Sequence, residues 1–412
     1  LDLGYVLLVM GPAGVVYCMN YPVTALSVAY FIISTLLLPL MVQAFSCLVA
    51  WVISLISSKM RNKNIITMVV SLLFLAAYFY LYSKMGDIIS GLIANGTAIA
   101  VAFKKYAFPA YYFGVGIAEH NLTYLLLYTV CTLAVFELVY AILSRSFRQI
   151  TTAKKGTARI KYKERSMHVS SPAAALLRKD FRHFIGNPMY VLNAWMGEIL
   201  LVVACVAMLV KKDILTEFLP ILNGEGEIMG LILCVILCGL SCTNLITAPS
   251  ISLEGKNLWI AQSIPVPAGV VLRAKVKLQM LLCIPITALS ALLMGIVLKL
   301  ELLTLVLAVL VPAAFNLFTA LLGVVVNLHF PKFDYINETV VIKQSMSTMI
   351  CMFGSMAVVL VLALLYALLL SASVAPTLFL AVCLVLLVIV CVLMWRYLGH
   401  GGSARFAALQ AD

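Results

Sequence analysis

The chain has 412 residues, of which 64% are hydrophobic and 11% are charged, and its formal net charge is +12. A soluble domain carries roughly 25% charged residues, so this composition excludes an ordinary water-soluble fold and indicates a protein that lies in a lipid bilayer. The predicted fold class is all-α, a polytopic transmembrane helical protein. Because the sequence begins at Leu1 rather than Met, we expect an N-terminal piece to be missing.

About ten apolar segments have roughly the length, about 20 residues, that a helix needs to cross a bilayer. The second is too long for one upright span and contains Pro39, so we expect a kinked or steeply tilted helix there. In chain order the predicted spans are 3–18, 23–57, 65–83, 119–143, 187–209, 227–248, 275–298, 301–327, 346–371 and 375–395.

The basic residues between these segments predict the orientation. If the loop Ser57–Asn64 is cytoplasmic and the sides alternate from there, 22 of the 28 Lys and Arg residues fall inside and six fall outside. The positive-inside rule expects this bias, so the net charge is interpreted as a topology signal and no nucleic-acid partner is expected. The exceptions are Lys84, Lys104, Lys105, Lys211, Lys212 and Lys299.

The largest inside feature combines a basic connector, 144–171, with an amphipathic stretch that follows it. Ser171 and Pro172 are typical of a helix N-cap and first helical residue. Apolar residues at helical spacing, such as Leu177 and Phe181, predict a helix over 172–186 that lies in the membrane interface. A solvated helix stub before the next span is the alternative. Pro188 is expected to end this helix and to allow a bend.

A second inside feature is SLEGKNLWIAQSIPVPAG, which follows Pro249 and ends at Gly269. It is long enough for two or three helical turns, with Trp259 suited to the lipid headgroups and Glu254 and Lys256 able to face water. The stretch is interpreted as a short rigid helix that a partner could push. The alternative is a tight loop with no partner. A third inside feature, residues 327–345, contains PKFDYIN, whose likeness to the earlier SKMRNKN hints at an internal repeat.

Three stretches together resemble the permease subunits of ATP-binding cassette exporters, in the type-2 permease superfamily. They are SLEGKNLWIAQSIPV, FPKFDYINETVVIKQSMS and LLRKDFRHFIGNPMYVLN. The resemblance implies an interfacial elbow helix, two spans, a cytoplasmic coupling helix at 249–268 and four more spans. The implied organisation is a partial first transmembrane unit (1–143), the connector (144–171), a second transmembrane unit (172–395) and a cytoplasmic tail (396–412). Short extracellular helices within 86–119 and a very short joint at 371–376 are further expectations.

The same resemblance implies the function: the membrane-spanning permease component of an ATP-driven exporter in the bacterial cell membrane. The sequence contains no GxxxxGK[ST] pattern, so ATP is expected on a separate cytoplasmic ATPase subunit, with no cofactor on this chain and no catalysis by it. The expected partners are that ATPase and the lipid bilayer. The residues expected to form the ATPase-coupling loop are Glu254, Gly255, Lys256, Trp259, Ser263 and Pro265.

Two other functions are open from the residues. An ion-driven secondary transporter would keep acidic residues within its spans, where this chain has Glu137 and Glu198. Glu198 is a candidate for the translocation path, and the alternative is a satisfied packing residue. A polytopic membrane enzyme would need a catalytic pattern, but the five histidines are far apart and neither HExxH nor GxSxG occurs. The eleven cysteines are expected to be packing residues, so no metal site is predicted.

Overall fold

The computed structural model describes residues 2–20, 24–58, 63–86, 90–91, 104–105, 108–119, 121–152, 170–210, 226–370 and 373–410. These residues form helices and one isolated antiparallel β-bridge, between Trp195 and Asn244. The predicted all-α class is confirmed over this part of the chain. The chain divides into two compact units, Leu1–Lys163 and Glu164–Asp412.

The first unit contains five described helices, with α2 packed along α5. The Trp51 indole N–H donates to Ser146 Oγ at 2.8 Å, which ties the end of α2 to α5. Helix α5 continues to Thr152, into the predicted connector, whose residues 153–169 lie outside the described part. The loop Ser57–Asn64 is also largely outside it. The five helices are α1 (Asp2–Asn20), α2 (Ala25–Ser58), α3 (Lys63–Ser83), α4 (Phe108–Ala118) and α5 (Leu122–Thr152).

The second unit is built around the neighbouring helices α11, α12 and α15. Its helices are α6 (Pro172–Gly186), α7 (Pro188–Ala194), α8 (Met196–Val210), α9 (Gly226–Ser241), a 3-10 helix (Ser252–Asn257), α10 (Leu258–Ser263), α11 (Ala268–Val297), α12 (Leu302–His329), α13 (Glu338–Gln344), α14 (Met346–Leu365), a π-helical turn (Tyr366–Leu370), α15 (Pro376–Gly399) and α16 (Gly401–Ala407).

Six of the described helices are long and apolar enough to cross a membrane. Four shorter apolar helices fall on the other predicted segments, so the count of ten spans stays a prediction. The six long segments are Ala25–Val52, Leu122–Ser146, Ala268–Val297, Leu302–His329, Glu338–Leu370 and Pro376–Gly399, and the shorter ones are Val6–Asn20, Thr67–Ser83, Met196–Leu209 and Glu227–Ser241.

Two of the predicted spans are interrupted. The segment 187–209 breaks at Trp195, between α7 and α8, and the segment 227–248 is helical only to Ser241. The two breaks face each other, because the Leu245 N–H donates to the Ala194 carbonyl at 2.8 Å. Gly197 permits this close approach, since a Cβ on it would lie 2.2 Å from the Leu240 carbonyl oxygen. One N–H of the second break and one carbonyl of the first are therefore paired with each other rather than left without a partner.

The predicted helix over 172–186 is confirmed as α6. The Ser171 hydroxyl accepts a hydrogen bond from the Ala174 N–H, with Pro172 at the first helical position. Asn187 ends α6 and caps α7, so the predicted break before Pro188 is confirmed. Helix α6 buries Leu176 in a core shared with α11, α12 and α15 and packs on α11. This packing brings its charged side to the same end of the unit as residues 249–268.

Candidate functional site

Residues 249–268, called the basal segment below, connect α9 to α11 at one end of the second unit. The segment consists of a 3-10 helix, Ser252–Asn257, and the six-residue helix α10. Between them Gly255 has φ 53° and ψ −136°, a conformation that residues with a Cβ rarely adopt. This reversal separates Glu254, which faces the unit, from Lys256, which is exposed to solvent.

The six residues predicted for the coupling loop divide into two groups. Lys256, Ser263 and Pro265 are exposed, and the Trp259 side chain is 64% exposed. Gly255 is buried and the Glu254 side chain is only 11% exposed, so neither lies on that outer surface. A role of all six in coupling stays a prediction. Four of them lie on the exposed side of the segment, and the other two face the interior of the unit.

Glu254 belongs to a compact group of four charges, called the basal cluster: Lys179, Asp180, Glu254 and Lys275. Lys275 Nζ lies 2.8 Å from Glu254 Oε1 and 3.5 Å from Asp180 Oδ2, and it also donates to the Ser250 carbonyl at 3.1 Å. Lys179 Nζ lies 2.7 Å from Glu254 Oε2. The cluster therefore joins α6, the basal segment and the first turns of α11.

Electrostatics favour the ionised form of Glu254. Burial would raise the pKa of this carboxyl, but the positive charges of Lys275 and Lys179 and the hydrogen bonds from both ammonium groups lower it to about 2. Burial raises the pKa of the neighbouring Tyr335 hydroxyl, and the charges of Glu338 and Glu254 add to that rise. Tyr335 therefore stays neutral and donates to the Leu253 carbonyl at 3.2 Å.

Amide side chains attach the basal segment to its neighbours. Asn327, fully buried at the end of α12, accepts from the Ile251 and Ser252 N–H groups at 2.8 and 3.1 Å. Its own amide donates to Ser252 Oγ at 2.7 Å. On the other side, Gln262 Nε2 donates to the Phe406 carbonyl at 2.8 Å, which ties α10 to α16. The segment is thus fixed to α12 and to the C-terminal helix as well as to α6 and α11.

A cavity of about 560 Å³ opens beside the basal cluster. Besides the four cluster residues, it is lined by Lys256, His183 and the carboxylates of Asp334 and Glu338. Its lysines and carboxylates nearly balance in charge, and apolar side chains complete its lining. Its volume falls within the range of about 300–1,000 Å³ that is typical of small-molecule sites.

Replacing Gly255 should destabilise the basal segment. A Cβ at this position would lie 2.9 Å from Tyr335 Oη, in addition to the strain of φ 53°. We expect Gly255→Ala to cost about 1–3 kcal/mol of unfolding free energy. The measurement is the unfolding midpoint in detergent, with Gly239→Ala as the control, because a Cβ there would meet nothing within 4 Å. Equal midpoints for the two variants would contradict the constraint.

The other predicted site residue, Glu198, lies in a separate buried group. Its Oε1 accepts from Asn244 Nδ2 at 2.9 Å and from Thr287 Oγ1 at 2.8 Å, and the side chain is 1% exposed. Asn316 Nδ2 donates to Thr287 Oγ1 at 2.9 Å and to Ser241 Oγ at 3.0 Å. These five residues are called the polar network below. Whether it lines a translocation path stays a prediction.

Sequence reasoning misses the central residues of both groups. It counts Lys275 only among the inside basic residues, although this side chain is 3% exposed and pairs with two carboxylates. It passes over Asn327, Asn316 and Gln279, although an amide side chain within an apolar helix is itself a signal of a buried hydrogen bond. Gln279 is fully buried and accepts from the Thr247 N–H at 3.0 Å.

Among the described residues no group of three or more His, Cys, Asp or Glu side chains could hold a metal ion. Cys234, Cys238 and Cys242 are buried free thiols, and all three lie in the apolar core. They pack against the surrounding hydrophobic side chains, as free cysteine often does.

The helical architecture, with helices of membrane-crossing length and a charged cluster at one end, defines a protein compatible with insertion in a membrane. Residues 89–395 match the model of a family described as "Putative ATP-binding cassette". The match covers well over half of the chain, and the chain belongs to this family. No curated protein and no solved structure matches it.

This membership corrects several expectations drawn from the resemblance to permease subunits. The family is described as an ATP-binding cassette, so the assignment to a permease family and to a permease-only function is wrong. The same finding contradicts the expectations that the chain has no catalytic part and that ATP is bound only by a partner. The 412 residues contain no GxxxxGK[ST] pattern, the phosphate-binding loop of P-loop proteins.

Proposed function

We propose that this chain is a membrane-embedded component of an ATP-dependent transport system of the ATP-binding cassette family. In this proposal the basal segment transmits the nucleotide-driven movement to the helices of the second unit. The observation that carries the proposal is the basal cluster, because it connects a partly exposed segment to α6 and α11 through the largely buried side chains of Glu254, Asp180 and Lys275, with the half-exposed Lys179 at its edge. The predicted location is the bacterial cell membrane, with the basal end in the cytoplasm.

The attachment of the basal segment supports this role. A displacement of a loop reaches a bundle only if the loop and the helices move together, and buried ion pairs and amide bonds are suited to that. Asn327 provides the connection to α12, and Lys275 provides the connection to α11. A displacement of the basal segment would therefore move α11 and α12 together.

The exposed side of the basal segment provides a contact surface on which such a force could act. Trp259 and Ile260 are 64% and 46% exposed and follow the exposed Lys256 in the same segment. Aromatic anchors with a polar rim are typical of protein interfaces. We assign Lys256, Trp259, Ser263 and Pro265 to the surface on which the ATP-driven part of the system acts.

Hydrogen–deuterium exchange tests the transmission. The chain is purified from its native membranes together with any proteins that remain bound to it. Deuterium exchange of residues 249–268 is then compared between samples with MgATP and samples with MgADP. We expect ATP to change exchange in the basal segment, and Trp259→Ala to abolish that change while the fold persists. The matched control is Ile336→Ala, an exposed apolar residue outside the segment. No ATP-dependent change in the segment, or an unaltered response in Trp259→Ala, would refute the proposal.

A second experiment locates the nucleotide. Photolabelling of the same preparation with azido-ATP, followed by separation of the chains, shows which chain carries the label. The family description predicts label on this chain, at a place that peptide mapping would reveal. Label confined to an accompanying chain would contradict that description and leave the transmission through the basal segment as a separate question.

A further inference from the structure

Glu198 stands out because it is a buried carboxyl beside which no cationic side chain appears among the described residues. It occupies the first turn of α8, directly after the break at Trp195, and is 1% exposed. One oxygen, Oε1, receives two hydrogen bonds, while Oε2 is buried and has no hydrogen-bond partner. An ionised carboxylate without a countercharge is costly in an apolar environment, so this group requires a cation in some form.

The hydrogen-bond pattern of the polar network favours a proton over a metal ion at Glu198. A sodium or potassium ion needs several oxygens whose lone pairs face it. Here Asn244 Oδ1 accepts from the Glu198 N–H, and Asn316 Oδ1 accepts from Asn244 Nδ2. The hydroxyl oxygens of Thr287 and Ser241 each accept from Asn316 Nδ2. The side-chain oxygens of the network are already used as acceptors, whereas a proton needs only Oε2.

Among the described residues, the other titratable groups around the network are not placed to bind this proton instead of Glu198. The thiol that faces the carboxyl is Cys283 of α11, while the Cys242 thiol donates to the Cys238 carbonyl. The charged side chains on the packed helices lie toward the helix ends. Along their axes they are at least about 15 Å from the network residue of the same helix. The nearest on α9, α11 and α12 are Glu227, Lys277 and His329.

We propose that Glu198 is a proton-binding site at the paired breaks of α7–α8 and the turn after α9. The proton is held on Oε2 at neutral pH and makes the carboxyl neutral. It leaves when the two breaks separate and water reaches the group. Interrupted helices are the places where membrane proteins bring backbone and polar groups to ions at mid-depth, and this pair of breaks supplies such a place. The proposal does not depend on how ATP is coupled.

Infrared spectroscopy of the full chain in lipid nanodiscs tests the site. We expect the C=O stretch of a protonated carboxylic acid at neutral pH in the wild type, its absence in Glu198→Gln, and its persistence in Glu137→Gln. Glu137 is the matched control because it also stands in the interior of a predicted span, away from its first residues, and is exposed where Glu198 is buried. A wild-type spectrum without this band, or a band unchanged in Glu198→Gln, would overturn the proposal.

Two further measurements keep the test decisive if Glu198→Gln folds poorly. Thr287→Val retains the carboxyl but removes a donor to its ionised form, so the acid band should persist to higher pH than in the wild type. The unfolding midpoint of the wild type should fall as the pH rises from about 4.3, the ordinary value for a glutamate carboxyl, until the folded site releases its proton, because over that range only the folded chain keeps the proton. A midpoint raised by sodium or potassium but not by choline, with no acid band, would establish a metal ion in place of the proton.

Discussion

Lys275→Met is expected to cost about 3–5 kcal/mol of unfolding free energy, the range for removing one partner of a buried ion pair. The Lys275 side chain is 3% exposed and lies between Glu254 and Asp180, which are 11% and 14% exposed. Methionine has a similar length but no charge, so the two carboxylates would lose the ammonium group they share. The measurement is chemical or thermal unfolding of the purified chain in detergent.

The control for this prediction is Lys277→Met, two residues along the same helix, where the side chain is exposed. A surface substitution of this kind should stay within about 0.5 kcal/mol of the wild type. Adding Glu254→Gln to Lys275→Met should recover part of the loss, because one unpaired charge is then removed. Equal stabilities of the wild type and the Lys275→Met variant would show that the cluster does not hold the segment.

Acid should weaken the second unit through Glu254. Its pKa is about 2 in the folded chain against an ordinary value of 4.5. A lowered pKa contributes stability that is fully present above 4.5 and is lost as the pH falls from there through about 2. With 1.36 kcal/mol for each pKa unit, the loss amounts to about 3 kcal/mol, and the 11% exposure of the side chain leaves little screening by solvent.

The test is the unfolding midpoint as a function of pH on the acid side, for the wild type and for Glu254→Gln. The variant should be less stable near neutral pH and should lack the part of the acid slope that Glu254 contributes. Asp334→Asn serves as the control, since Asp334 is an exposed carboxyl near the same end of the unit. The same slope in Glu254→Gln as in the wild type would assign the acid sensitivity to another group.

The sequence predicted those features that depend on local patterns. Ser171 and Pro172 indicated the start of α6, and Pro188 its end, because caps and prolines act within one turn. The apolar segments placed the six long helices for the same reason. The break at Trp195 was missed, since it is stabilised by residues near Asn244, almost fifty positions away. A continuous apolar run contains no sign of such a distant partner.

The candidate site was predicted only in part, for a related reason. The reversal at Gly255 turns Glu254 inward, whereas the pattern SLEGKNLW predicted that Glu254 and Lys256 are both able to face water. Which carboxylate pairs with Lys275 depends on how α6 lies against α11, and that packing has no counterpart in the local sequence. The family membership likewise replaced a functional assignment that three short stretches had suggested.

The chemistry of the anchoring bonds determines how the basal segment would appear in a mutational scan. On the segment side several anchors are backbone carbonyls, such as those of Ser250 and Leu253, which every amino acid possesses. Substitutions at these two positions would leave the acceptors in place, so tolerance at the partly exposed Ser250 would underreport its importance, whereas Leu253 would be sensitive only through its buried side chain. Sensitivity would appear instead at the remote donors, Lys275 and Tyr335. Tolerance at Ser250 beside intolerance at the distant donor Lys275 is therefore the genetic signature of this joint, while Glu254 and Gly255 remain sensitive positions within the segment.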